Sequence, residues 1–142
     1  MPAGFQELKA GRGFVGRLET GADLVEEIER FCAEHDVLAG QVTVIGAVRH
    51  ARFAYYEQDD HRYLELESAT HHEVVGFVGN ISMRDNKPFL HAHATFADAA
   101  GGTVGGHLLR GTEVFAAEIM IREIAGVSLV RTPDATTGLA LW

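Results

Sequence analysis

The chain has 142 residues, of which 46% are hydrophobic, and this is enough for the core of one domain. Its formal net charge of -8 repels a polyphosphate backbone and argues against nonspecific nucleic-acid binding. No apolar run approaches the ~20 residues that cross a bilayer, and the first residues lack the pattern of a secretory leader. We therefore predict a cytoplasmic protein that forms a single domain over residues 1–142, with a core at about 12–131 and a C-terminal tail at 132–142.

The first elements predicted along the chain are a strand and a helix. Residues 13–18, Gly-Phe-Val-Gly-Arg-Leu, are typical of a strand. Asp23 with Glu26 three residues later resembles the capping box at a helix start. Apolar residues then recur at helical spacing, at Leu24, Ile28 and Phe31. The pattern predicts one amphipathic helix over roughly residues 23–35.

From residue 40 onward the pattern is that of a sheet, because β-branched and aromatic runs alternate with breaks rich in Gly, Asn and Asp. The runs predict strands at 42–45, 48–56, 63–70, 74–81, 89–96 and 104–109. Residues 115–124 fit both a helix and a strand, and the tail after Pro133 is expected to be loosely held. Short turns imply antiparallel pairing. The sequence thus predicts an α+β fold, a mostly antiparallel β-sheet with one or two helices packed on it.

Three histidines carry the main chemical signal. His91 and His93 are one residue apart in a predicted strand, so their side chains point to the same face. His107 directly follows Gly105 and Gly106, and residues without a Cβ let a neighbouring backbone approach closely. Three imidazoles at one point are a common catalytic zinc set that leaves a fourth position open. Imidazole also suits iron, nickel and copper, and structural histidines are the alternative; zinc is the ion that we expect.

Glu118 is the carboxylate with the most apolar sequence neighbours, since it lies between Ala117 and Ile119. A carboxylate in such surroundings must be paired, bound or perturbed. One interpretation is a catalytic general acid or base, or a group that orients a histidine ligand. The other is a salt bridge to an arginine such as Arg110 or Arg122, and the sequence does not choose between them.

The histidine block resembles the plants and prokaryotes conserved (PPC) domain. The resemblance is carried by the strings Pro88-Phe89-Leu90-His91-Ala92-His93, Asp98, Gly105-Gly106-His107-Leu108 and Ala117-Glu118-Ile119, with residues 21–24, 45–48 and 79–81 in matching order. It implies an α+β subunit that assembles as a homotrimer. In prokaryotic members it also implies a metal bound by the three histidines, here His91, His93 and His107.

In land plants the domain follows AT-hook segments in nuclear DNA-binding proteins. This chain has no Arg-Gly-Arg-Pro core, and its net charge is wrong for DNA. The fold is also similar to that of acetolactate decarboxylase, another three-histidine metal protein, which acts on a small oxo acid. Such an analogy concerns the fold and leaves the reaction open.

Two functions stay open, so the sequence leaves undecided whether the chain is an enzyme. The first is a homotrimeric metal-binding PPC protein with a binding or regulatory role and a small-molecule ligand at the metal. The second is a metal-dependent lyase or hydrolase acting on a small oxo acid or ester, with Glu118 as a proton carrier. DNA binding is a third and weaker function because of the charge.

Overall fold

The computed structural model describes residues 4–142, so residues 1–3 of the predicted domain lie outside the described residues. In chain order the elements are β1 (Lys9–Leu18), α1 (Leu24–Glu34), β2 (Gly40–Glu57), β3 (Arg62–Ser68), β4 (His72–Arg84), β5 (Lys87–Ala97), β6 (Thr103–Leu108), β7 (Glu113–Ala125), β8 (Thr132–Pro133) and β9 (Ala140–Leu141). The predicted α+β fold is confirmed, and the ambiguous segment 115–124 is a strand. Over the described residues no helix has the length and apolar character that a membrane span requires.

Seven strands of the described chain form one antiparallel sheet, in the order β1-β7-β2-β4-β5-β6 with β3 paired to β2. The long strand β2 pairs with β4 and β7 through its first half. Its second half pairs with β3 and, at Phe53 and Ala54, with β6. Because β6 also pairs with β5, the sheet curls back on itself. This closure holds β6 between β5 and β2.

The predicted break between strands 42–45 and 48–56 is a bulge inside the single strand β2. The register with β7 shifts between Ala47 and Val48. Gly46 lies just before the shift, where a Cβ would be 2.0 Å from the carbonyl oxygen of Ala116. Glycine is therefore needed because two backbones meet there, and the chain continues as a strand on both sides.

Alternation along β5 separates a buried face from an outer face. The buried residues of this strand are Leu90, Ala92, Ala94 and Phe96. His91 and His93 consequently share the outer face, as the sequence predicts. The helix covers the inner face with side chains that are at most 2% exposed: Leu24, Ile28 and Cys32.

The helix is fixed at its start and along its buried side. Asp23 accepts hydrogen bonds from the backbone N–H groups of Val25 and Glu26, each at 3.0 Å, which confirms the predicted cap. Glu29 is buried, accepts a hydrogen bond from the backbone N–H of Leu90 at 3.0 Å and pairs with Arg110. This carboxylate ties α1 to β5 at the residue before His91.

The C-terminal tail is bound to the sheet, which differs from the loose tail that the sequence predicts. The backbone N–H of Arg131 donates to the carbonyl oxygen of Met83 at 2.8 Å, so residues 129–131 run along β4. Tyr56 donates a hydrogen bond to the carbonyl oxygen of Thr137 at 2.6 Å, and β8 pairs with β9. The difference arises because the partners of the tail come from distant strands.

Candidate metal centre

The structure brings the three predicted histidines together on the outer face of the sheet. A ring nitrogen of each of His91, His93 and His107 lies within 4.8 Å of the others. His93 faces His107 across the β5–β6 pairing, and His91 lies two residues earlier on β5. The ring centroids are 5.0 to 5.8 Å apart. A convergent set of three imidazoles on two paired strands is therefore present.

The glycine pair before His107 sets the closeness of β6 to its neighbours. A Cβ at Gly105 would be 2.2 Å from the carbonyl oxygen of Ala94, and one at Gly106 would be 2.5 Å from that of Ala54. Both distances are far below a carbon–oxygen contact, so any larger residue would push β6 away. The predicted use of these glycines for close approach is borne out by the geometry.

Burial keeps two of the three imidazoles neutral at neutral pH. Desolvation, then the charges of His107, Arg131 and His93, lowers the pKa of His91 to about 4. Desolvation, then His93 and Arg131, lowers the pKa of His107 to about 4. Neutral imidazole is the form that binds a metal. Three nitrogen donors of this kind fit a divalent transition metal such as zinc.

The lowered pKa values predict an acid-dependent loss of stability in the metal-free protein. Unfolded histidines titrate near their ordinary pKa of 6.5, whereas folded His91 and His107 resist protonation down to about pH 4. The unfolded chain therefore binds more protons in this window, and the free energy of unfolding falls as the pH is lowered through it. Denaturant titrations at both ends of this pH window give the loss in the free energy of unfolding. For His91→Gln this loss should be smaller than for the wild type, by on the order of 1–2 kcal/mol. The exposed His71→Gln should behave as the wild type; an equal pH slope for His91→Gln would contradict the prediction.

Side chains from distant parts of the chain complete the surroundings of the histidines. Arg131 lies with one terminal nitrogen 3.4 Å from Nδ1 of His91 and 3.1 Å from Oδ1 of Asn80. Asn80 is opposite His91 in the β4–β5 register. The ring of Tyr63 lies 4.8 Å from that of His107, and burial raises its pKa so that the phenol keeps its proton.

Sequence reasoning missed Arg131 and Tyr63 as parts of this site. Both lie in segments without any motif, and their approach depends on the pairing of β3 with β2 and on the docking of the tail. Asn80 had one signal, its place in the Gly79-Asn80-Ile81 string of the family resemblance.

The structure does not bring Glu118 to the histidines of its own chain. Its apolar neighbours Ala117 and Ile119 are buried, while Glu118 alternates to the exposed side. The strands β2 and β4 separate β7 from β5 in the sheet order. Glu118 lies opposite Arg17 and Ile45, and neither Arg110 nor Arg122 forms an ion pair with it among the described residues. Alternation sends its sequence neighbours to the buried face, and Glu118 is exposed on the outer face, where it lines a cleft together with Ile45 and Met120.

A curled antiparallel sheet with one helix and a triad of histidines on its outer face defines a small α+β domain with a candidate metal centre. The model of the Plants and Prokaryotes Conserved (PCC) domain matches residues 5–125. The chain belongs to that family, which is the PPC domain of the sequence resemblance.

Two solved structures are similar over nearly the whole chain. A metal-containing protein from Archaeoglobus fulgidus is 39% identical, with a TM-score of 0.93 and coverage of 99% of both chains. A plant- and prokaryote-conserved protein from Pyrococcus horikoshii is 30% identical, with a TM-score of 0.93 and coverage of 99% of this chain and 96% of that one.

Other similar proteins either align over a small part of their own length or are less than 25% identical. The bifunctional protein GlmU of a Synechococcus strain is 32% identical over 124 residues. These residues are 86% of this chain but 19% of that protein. The chain thus spans about a fifth of the length of the curated relatives that it matches. A proposed DNA-binding protein from Bacteroides thetaiotaomicron is 22% identical, with a TM-score of 0.84 over 94% of this chain and 95% of that one. A Staphylococcus aureus protein similar to alpha-acetolactate decarboxylase is 21% identical, with a TM-score of 0.54 over 81% and 53%. These last two likenesses concern the fold alone.

Proposed function

We propose that the chain is a homotrimeric PPC protein that binds zinc at His91, His93 and His107 and has a binding or regulatory role. One observation carries the proposal, namely three ring nitrogens within 4.8 Å of one another. The metal-containing relative from Archaeoglobus fulgidus supports it, since that protein is 39% identical and aligns over 99% of both chains. A zinc ion with three neutral ligands would keep its full charge and a position for an oxygen ligand.

Zinc titration of the metal-free protein tests the proposal directly. We expect one zinc ion per chain by calorimetry, together with a rise in thermal stability, because the ion binds the folded chain only. Competition with manganese, iron and nickel would establish the preferred metal. A protein that binds no divalent transition metal near neutral pH would contradict the proposal.

Exposed apolar side chains on the outer face support self-association, and the family resemblance supplies the number of three. Four such residues belong to neighbouring strands and are 81%, 69%, 71% and 56% exposed: Val15, Ile45, Val78 and Met120. Exposed apolar groups on one face are typical of protein interfaces. Val78 is opposite His93 in the β4–β5 register, so an interface on this face would lie beside the metal centre.

A charged residue on this face is expected to dissociate the trimer. Sedimentation equilibrium of the wild type should give three times the 15.4 kDa of one chain. Met120→Glu should weaken association by at least about tenfold, because a carboxylate would be placed in an apolar contact. Leu38→Glu, at an exposed position just after α1, is the control and should leave the mass unchanged. A monomeric wild type would contradict trimerisation.

The alternative function is a metal-dependent lyase or hydrolase acting on a small oxo acid or ester. The contact between Arg131 and His91 at 3.4 Å favours it, since a guanidinium beside the centre could hold a substrate carboxylate. Glu118 would have to act from another chain, as it is remote within its own. Small oxo acids and esters should be screened with Zn, Mn, Fe and Ni. If nothing turns over and Glu118→Ala changes only stability, the enzymatic function loses its support.

DNA binding is disfavoured for this chain. Its formal net charge of -8 opposes approach to the phosphate backbone. A gel shift at near-physiological salt tests the point, and a shift that disappears with modest added salt would indicate nonspecific electrostatic contact.

A further inference from the structure

We infer that Arg84 and Arg131 form an anion-binding subsite beside the histidine cluster, and that its ligand is a small organic acid with an oxygen donor next to the carboxylate. The carboxylate would lie on the arginines, and the second oxygen would face the histidines. The second half of this inference rests on the proposed metal centre. The first half rests on the arginines alone.

The two arginines meet on one aromatic ring next to the cluster. The guanidinium carbons of Arg84 and Arg131 lie 5.2 Å and 5.4 Å from the ring centroid of Phe89. Phe89 precedes His91 by two residues, and Arg131 also lies 3.4 Å from Nδ1 of His91. Stacking on a shared ring holds the two charges in place without neutralising them.

The neighbouring carboxylates are already paired with other arginines. A cleft of about 320 Å³ is lined by Arg84, Phe89 and His107, and the charged residues Glu29, Arg52, Glu65 and Arg110 also line it. Glu65 pairs with Arg52 at 2.6 Å, and Glu29 pairs with Arg110. The charges of these two acidic and two basic groups therefore cancel, and Arg84 is the cleft residue whose charge has no partner among the described residues.

Arg131 adds a second uncompensated charge. Its hydrogen bonds go to uncharged acceptors, namely the hydroxyl of Ser82 at 2.7 Å, the side-chain oxygen of Asn80 at 3.1 Å and the carbonyl oxygen of Ala140 at 3.0 Å. Within residues 4–142 no carboxylate lies within 4.0 Å of Arg84 or Arg131. Arg131 is half-buried, and a half-buried charge is normally paired. Arg84 is exposed at the cleft and contacts the same ring, so the two arginines offer an anion a place that solvent can reach.

The remaining donors favour a carboxylate over a phosphate. A guanidinium has five N–H groups. Arg131 uses three of them on protein acceptors, and the terminal nitrogen that donates to Asn80 also lies 3.4 Å from Nδ1 of His91. The planar two-oxygen edge of a carboxylate matches the fork of one guanidinium, here that of Arg84, while Arg131 has few donors left for further oxygens. A carboxylate here, next to a divalent ion at the histidines, would allow an adjacent hydroxyl or oxo group to reach the open coordination position.

Calorimetry with lactate and lactamide tests the inference. Both molecules carry the α-hydroxyl oxygen, but only lactate carries a carboxylate. Zinc-loaded wild-type protein should bind lactate and bind lactamide at least about tenfold more weakly. Arg84→Met keeps an apolar contact with Phe89 and should weaken lactate binding by about tenfold or more, with zinc stoichiometry unchanged. Arg49→Met is the matched control, because Arg49 stacks on Phe115 at 5.6 Å in another part of the sheet.

The other possible binding results test the subsite, the choice of a carboxylate and the metal centre separately. Unchanged lactate affinity in Arg84→Met with zinc bound would overturn the subsite, and so would an equal loss in Arg49→Met. Inorganic phosphate that binds more tightly than lactate, and depends on Arg84, would overturn the choice of a carboxylate. If zinc does not bind at all, the proposed metal centre fails. Lactate binding is then compared between the metal-free wild type and metal-free Arg84→Met. Weaker binding by Arg84→Met supports the subsite, and equal binding or no binding by both proteins overturns it.

Discussion

Replacement of His93 by alanine is expected to weaken zinc binding by more than about 100-fold while the chain stays folded. His93 is exposed and supplies one of the three convergent nitrogens. Its removal leaves two histidine ligands, whereas zinc sites with an open position use three protein ligands. The loss corresponds to about 3 kcal/mol or more of binding free energy. Competition with a chromophoric chelator measures the affinity, and circular dichroism checks the fold.

Two further variants make the assignment specific. His71→Ala removes an exposed histidine in front of β4 and should leave zinc affinity unchanged. His93→Cys should recover much of the lost affinity, because a thiolate is also a zinc ligand. Unchanged zinc affinity in His93→Ala, or an equal loss of affinity in His71→Ala, would show that His93 is not a zinc ligand.

Substitution of Gly105 by alanine is expected to lower the free energy of unfolding by about 3 kcal/mol. The added Cβ would be 2.2 Å from the carbonyl oxygen of Ala94, so β6 must move away from β5. Since His93 and His107 face each other across these strands, zinc affinity should fall with stability. Denaturant titration and zinc titration of the same variant measure the two effects.

The control for this substitution is Gly16→Ala in β1, where a Cβ would meet nothing within 4 Å. Its stability is expected to stay within about 0.5 kcal/mol of the wild type. If Gly105→Ala were as stable as Gly16→Ala and bound zinc equally well, the close approach of β5 and β6 would not be required for the site.

The sequence predicted those features that depend on local pattern. Alternation along residues 89–96 placed His91 and His93 on one face, and the structure has them there. Asp23 was recognisable as a helix cap because its role depends on residues two and three positions away. The convergence of His107 needed one long-range pairing, and the glycines before it gave a local sign of that close contact.

Features that depend on distant pairing were not accessible from the pattern. Arg131 contacts His91, which is 40 residues away in the chain, and no periodicity marks that contact. The groups that face Glu118 could not be read from the local pattern, because neighbours in sequence are not neighbours in space along a strand. The bulge at Gly46 divided one strand into two predicted ones, because glycine interrupts a strand pattern whether or not the strand ends there.

The contact of Arg131 with the histidine cluster joins a residue beyond the family match to residues inside it. The family match ends at residue 125, whereas Arg131 belongs to the segment that follows. The triad thus lies inside the common domain, and one of the groups that face it comes from outside. Exchanging residues 126–142 between two members would therefore test whether this C-terminal segment determines ligand preference while residues 5–125 determine metal binding.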